Sequence, residues 1–200
     1  MVARALTEPD RLWRRSEVLA RPCPIPPVPG VYAWYFHDIP VAVPISGCHT
    51  MHGSALLYVG ISPGPPPHNG KPPSRQTLRH RIRYHYRGNA AGSTLRLTLG
   101  CLLADKLGIQ LRRVGSGSRL TFADGEALLS NWMDQHAYVA WTPHPAPWEP
   151  EHALIAAWAL PLNLDQNSHS PYAIQLSAVR RAARTSAREL PIVEATWRPL

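Results

Sequence analysis

Five side chains of this 200-residue chain have the types and the order that acid–base chemistry on a phosphate ester requires: Tyr32, Tyr58, Arg81, His85 and Glu151. A phenol titrates near about 10 and is a poor base at neutral pH unless a neighbour takes its proton. His85, one helical turn beyond Arg81, can take it if partial burial keeps the imidazole neutral. A guanidinium at the edge of an apolar stripe, with no carboxylate at helical spacing, requires an anion, and a phosphate that gains charge during reaction is one. Each residue also has a plainer use. Paired tyrosines pack with wet hydroxyls, a histidine beside an apolar stripe is core, an arginine snorkels, and a glutamate in a first turn answers the helix dipole.

The elements that must carry these groups are legible in outline. The aromatic and β-branched run Gly30 to Phe36 predicts a first strand, Leu56 to Ile61 a second and Ala137 to Thr142 a third. Between the first two, His37 to Ala55 turns to Pro, Gly, Ser and His and predicts an inserted loop; Ser62 to Pro73 is loop for the same reason. Helical spacing from Ser74 or Thr77 to Arg87 puts Leu78 and Ile82 on one side, with His85 beside them and Arg81 at the margin. Arg79 and Arg83 fall on the outer side of that helix, facing solvent, where they are candidates for binding substrate. A helix capped by Ser93 runs to Gly108, a hairpin spans Ile109 to Phe122, and Gly125 to His136 forms a helix with Leu128, Leu129 and Trp132 as its buried face.

Trp148 or Glu149 starts a further helix, stopped by Pro161. Glu151 lies on the face it shares with Leu154, Ile155 and Trp158, where an unpaired carboxylate is costly. Asn163, just after the stop, either holds Glu151 or a sugar-phosphate, or caps the turn. Ser170 and Pro171 open a last helix bearing Arg180, Arg181, Arg184 and Arg188, a face that suits either a nucleic-acid backbone or plain solvation. At the other end, Thr7 caps a predicted helix to Ala20, followed by a stiff proline-rich lead to Gly30.

Composition narrows the classes. The length suits one folded unit, and 44% hydrophobic residues with seven Trp can fill a core. A net charge of +8, carried almost wholly by arginine, favours a polyanionic partner, and arginine's planar fork suits phosphate. Cys23, Cys48 and Cys101 lack CxxC spacing, against a disulfide scaffold or a structural zinc site. Cys48, His49 and His52 share one loop, with no further ligands in sight, and read as surface residues. The start lacks the apolar core of a signal peptide and no run reaches membrane-spanning length, which predicts a soluble cytoplasmic protein.

In order along the chain stand Gly30-Val31-Tyr32, Tyr58-Val59-Gly60, Leu78-x-x-Arg81-Ile82-x-x-His85, Glu151-x-x-Leu154-Ile155 and Pro161-x-Asn163. This succession resembles the GIY-YIG nuclease superfamily. The resemblance implies an α/β domain of the α+β type: a central three-stranded antiparallel sheet flanked by helices, here with an inserted loop and hairpin and extra terminal helices. It also implies endonuclease activity on DNA through a single divalent metal, Mg²⁺ or Mn²⁺, on Glu151. Tyr32 would activate water and pass its proton to His85, Tyr58 would orient the phosphate or the water, and Arg81 would neutralise the developing charge. Two departures stand out. The interval from Tyr32 to Tyr58 is long for the family, and Ile61 follows Gly60 where some members carry lysine.

The domain organisation expected is an N-terminal helix and lead over 1–29, the catalytic domain over 30–165, and a helical extension over 166–200 packed on the same domain. A reading from another class is a basic nucleic-acid-binding module that keeps the scaffold without catalysis. Retention of every polar position in the set speaks against it.

Overall fold

The computed structural model of the chain describes residues 1–40, 42–67, 69, 72, 74–167 and 170–194. The predicted loop over 62–73 and the turn over 162–170 lie partly outside those residues.

A four-stranded antiparallel sheet forms the centre, in the order β2-β3-β1-β6. Strand β1 (Gly30–Phe36) runs between β3 (Ser54–Ser62) and β6 (Ala137–Pro143) and is buried along its whole length. Its pattern therefore has no polar side, as expected of a strand covered on both faces. Tyr32, Trp34 and Phe36 enter the larger core beneath the helices, while Val31, Ala33 and Tyr35 enter a smaller core on the other face.

The edge element β2 (Thr50–Met51) is an addition to the three strands expected. It lies inside the predicted insertion and pairs only with Ser54 and Ala55, so it covers the start of β3 and leaves the rest of that edge open.

Helix α3 (Leu78–Arg87) begins where Thr77 accepts the His80 amide, and its Leu78, Ile82, His85 and Tyr86 are buried. The predicted third helix is present as α4 (Thr94–Leu102) with a separate turn α5 (Ala104–Leu107), ended at Gly108. Strands β4 (Arg112–Val114) and β5 (Arg119–Thr121) form the expected hairpin. Helix α6 (Gly125–His136) matches its predicted span, but Leu128 is exposed; Leu129, Trp132 and Met133 form the buried side. Helix α7 (Trp148–Ala157) stops short of Pro161, because Trp158 is already extended. The long helix α8 (Pro171–Glu189) packs mainly on α4. Among the described residues no helix is long and apolar enough to cross a membrane.

The N-terminal prediction is corrected. Thr7 ends a helix instead of starting one: α1 spans Val2–Thr7 and a separate α2 spans Arg15–Leu19. Between them Trp13 lies along the outer edge of β6, its N–H donating to Val139 O and its carbonyl accepting from Val139 N, both at 3.0 Å. An extended pairing that satisfies β6's free groups there wins over continuation of a helix that Pro9 already interrupts.

Two glycines mark where these elements touch. Gly30 sits under α3, where an added Cβ would fall 2.6 Å from Leu78 Cδ1 and against the Thr142 carbonyl. Gly60 lies across from Tyr32 in the β1–β3 register, and an added Cβ there would come 2.5 Å from the Tyr32 hydroxyl oxygen. The phenol occupies the space that a side chain at 60 would fill. Gly60→Ala should therefore destabilise the protein by about 1–3 kcal/mol, the usual cost of overpacking, and displace Tyr32. Thermal unfolding checks this; an unchanged midpoint would mean that the phenol has room to move.

Candidate active site

Tyr32 pairs with Gly60, and Tyr58 pairs with Trp34, one step along the same face of the sheet. The two phenols are thus diagonal neighbours on one side, not directly opposite each other. Tyr32 is 1% exposed, whereas Tyr58 is half-buried and opens on a small cleft. Burial, and then the nearby Tyr58, push the Tyr32 phenol well above its ordinary range against the pull of Arg81. Burial likewise raises Tyr58, offset in part by the neighbouring Thr94 side chain and then by Arg81. Both phenols therefore hold their protons at neutral pH.

The group that can draw the proton of Tyr32 is in contact with it. The Tyr32 hydroxyl lies 2.8 Å from His85 Nε2, and His85 Nδ1 lies 2.7 Å from Ser93 Oγ. His85 is fully buried on α3, and burial, with Arg81 and Arg96 behind it, holds its pKa well below the ordinary imidazole value. A neutral ring has one nitrogen free to accept. Ser93 is also the cap of α4, where its Oγ accepts the Arg96 amide at 3.1 Å. One hydroxyl thus ties the histidine to the start of the next helix.

Arg81 points from α3 toward the same phenols. Its Nη1 donates to Gly92 O at 2.8 Å, and although burial works against its charge, the neighbouring Tyr32 phenol favours it. Glu151 comes from the first turn of α7 and bears on both tyrosines electrostatically, as Arg81 does. It is half-buried, and burial is the main reason its pKa is raised to about 7; Asp165 adds to the rise and Gln166 opposes it. The Gln166 contact is long, 3.5 Å from Nε2 to Glu151 Oε2. Glu151, Asp165, Gln166, Tyr58, Thr94 and Arg180 share the lining of a cleft of about 60 Å³, which is room for a few waters or an ion.

Asn163 does not hold Glu151. Its Oδ1 accepts the Val59 amide at 2.9 Å and its Nδ2 donates to Val59 O at 2.8 Å. Together with Leu162 N donating to Leu57 O at 3.0 Å, this closes the part of the β3 edge that β2 leaves open. The asparagine amide imitates a strand partner, and in doing so it brings the end of α7 against Tyr58.

Arg79 and Arg83 do not face open solvent either. Arg79 Nε donates to Ile25 O at 2.7 Å and Arg83 Nη1 to Val18 O at 3.2 Å, so both half-buried guanidinium groups bind the N-terminal segment to α3. His49, from the Cys48-His49-His52 loop, has its Nε2 2.8 Å from Thr7 O. Among the described residues no group of three or more His, Cys, Asp or Glu is arranged to hold a metal.

Composition and spacing did not point to the ion pair beneath the site. Arg96 on α4 and Glu126 on α6 are fully buried and meet at 2.6 Å, Nη2 to Oε2. Glu126 Oε1 also accepts the amides of Ala90 and Phe122, and Arg96 Nη1 donates to His85 O. Such a pair is tolerable only because its remaining donors and acceptors are used. It fixes the loop between α3 and α4, and with it Ser93.

With these distances in hand the comparison with known families is decisive. A family model described as the GIY-YIG catalytic domain matches residues 30–182. The chain belongs to the GIY-YIG family. The match covers both tyrosine strands, α3, α7 and more than half of α8. No curated protein and no solved structure matches the chain. Family membership carries nuclease-type activity in general, with a nucleic acid as the substrate class and a divalent metal as the usual requirement.

The GIY-YIG chain fits such an ion at Glu151. The carboxylate is half-buried, weakly contacted and beside a second carboxylate, Asp165, in an open cleft, which suits a hard cation that completes its shell with water and phosphate oxygens.

The raised pKa of Glu151 has a consequence for stability. In the unfolded chain the carboxyl ionises near 4.5, and in the folded protein near 7. Between these values the native state keeps a proton that the unfolded state releases, so stability falls as pH rises from 4.5 to 7 and the penalty is constant above. Glu151→Gln should therefore raise the thermal midpoint in EDTA at pH 8 and leave it unchanged near pH 4. Equal shifts at both pH values would show that burial of this carboxylate carries no cost.

Proposed function

We propose that this protein is a metal-dependent endonuclease that hydrolyses DNA phosphodiester bonds. The observation that carries the reading is the 2.8 Å contact between the Tyr32 hydroxyl and a fully buried, neutral His85, on the same side of the sheet as the Glu151 cleft.

In this reading Tyr32 is the general base. With 1% of its surface exposed it is shielded from bulk solvent. As the water attacks phosphorus, Tyr32 takes the water's proton while its own proton moves to His85 Nε2, which requires the tautomer with hydrogen on Nδ1, donated to Ser93 Oγ. The phenol does not need to ionise first, and so its raised pKa is no obstacle.

Arg81 sits where its guanidinium can answer charge that develops on the phosphate. Its hydrogen bond to Gly92 O holds the fork in place before reaction, and preorganised donors of this kind contribute most where water is scarce. Tyr58, which lines the cleft beside Thr94, positions a phosphate oxygen or the attacking water. Glu151 would hold Mg²⁺ or Mn²⁺, with Asp165 as the adjacent carboxylate. When bound, such an ion supplies Lewis-acid stabilisation of the leaving oxygen. Asn163, Arg79 and Arg83 act in this reading by holding the framework: the first aligns α7 on β3, the others fasten α3.

Supercoiled plasmid incubated with the protein and Mg²⁺ should be nicked or linearised, and EDTA should stop the reaction. Glu151→Ala and Arg81→Ala should each lower cleavage by about a hundredfold or more, while binding of a duplex stays within a few-fold of wild type. Cleavage that survives both changes refutes the assigned site. Cleavage of RNA in preference to the plasmid would redirect the substrate.

A further inference from the structure

On α8, the residues Ala173, Leu176, Arg180, Ala183 and Ala187 recur at intervals of three and four and so share one face. Ala173, Leu176 and Ala187 are buried and Ala183 packs against the main core, so Arg180 stands in an apolar seam. The neighbouring Arg181 and Arg188 are exposed, as a solvated arginine face requires. Arg180 is different: its Nε is buried without a hydrogen-bond partner, and none of the ion pairs among the described residues includes it. A donor left in that condition is costly unless something absent from the free protein accepts from it. Arg180 belongs to the lining of the cleft with Tyr58, Glu151, Asn163 and Asp165.

We infer that Arg180 is a substrate-phosphate ligand, a second guanidinium supplied by the C-terminal helix that grips a phosphate of the nucleic acid in the Glu151 cleft. The inference rests on the endonuclease reading for the identity of the anion. Chemistry favours a phosphate over a resident carboxylate. Asp165, the nearby acid, is exposed and forms no ion pair with Arg180. A phosphodiester entering beside Glu151 and Asp165 meets two like charges, and a fixed cation in the same wall offsets that repulsion. Burial, and then Arg184, disfavour the charge of Arg180 in the free protein, which an incoming anion would relieve. The bidentate fork of arginine suits that anion better than lysine does.

The test uses Arg180→Met, which keeps an unbranched side chain in the seam and removes the charge, with Arg180→Lys, and with Arg4→Ala as a control for loss of one positive charge. Binding of a fluorescent DNA duplex is followed in EDTA at several salt concentrations, alongside thermal unfolding. Arg180→Met is expected to bind about tenfold more weakly with a salt slope lower by about one, and to melt at or above the wild-type temperature, since a half-buried side chain whose Nε has no acceptor has been removed. Arg180→Lys should recover part of the binding, and Arg4→Ala should bind close to wild type. Replacing single phosphates of the duplex by neutral methylphosphonates should identify one position whose effect disappears in Arg180→Met. Wild-type binding by Arg180→Met overturns the inference, as does a variant that loses stability and binding together with every methylphosphonate effect retained. If the binding results hold but no protein cleaves, the catalytic reading fails alone; if cleavage stands and Arg180→Met binds and cuts normally, the phosphate ligand fails alone.

Discussion

The exposed edge of β3 is the constraint on which the rest of the molecule turns. Beyond Ala55 no strand among the described residues pairs with that strand on the side away from β1, yet the backbone groups of Leu57 and Val59 are buried and must be satisfied. Leu162 and the side chain of Asn163 satisfy them. Because the turn after α7 is held there, α7 can approach the sheet only along one line, and Glu151 arrives beside Tyr58. A strand-edge hydrogen bond thus sets where a carboxylate stands relative to a phenol.

A second framework sits on the helical side. The buried Arg96–Glu126 pair joins α4 to α6 and takes up the amides of Ala90 and Phe122 and the carbonyl of His85. Ser93 lies between this network and the histidine, as helix cap and as hydrogen-bond partner. The histidine's orientation is set by groups that do not line the Glu151 cleft. A domain that must hold a neutral imidazole against a buried phenol needs such rigidity, since a shift of an ångström would break the contact.

Much of this was legible residue by residue, and the parts that were not share a cause. The strands at Gly30–Phe36 and Ala137–Pro143, the caps at Thr77 and Ser93 and the span Gly125–His136 follow from local pattern and capping chemistry. Tyr32, Arg81 and His85 could be singled out as candidates because their spacing on a strand and a helix is short-range information. Arg79 and Arg83 were misread as outward because helix periodicity says nothing of the segment 15–29 that folds over that side. Leu128 was misread for the opposite reason: among the described residues no element covers it. The single helix expected from Thr7 to Ala20 missed the pairing of Trp13 with Val139, which joins residues more than a hundred positions apart.

The order of the five short motifs by itself determined the family and the α+β class and named the candidate residues for proton and phosphate chemistry, because residue type and near spacing suffice for those. Tertiary structure alone decided that the two phenols are diagonal and not opposite, that Gly60 makes room for Tyr32, and that Asn163 serves the strand and not the carboxylate. It alone set Ser93 behind His85 and Arg180 in the wall of the cleft. These depend on register, on edge closure and on which helix covers which face, and such long-range contacts are fixed only when the chain packs and every buried polar group must find its partner.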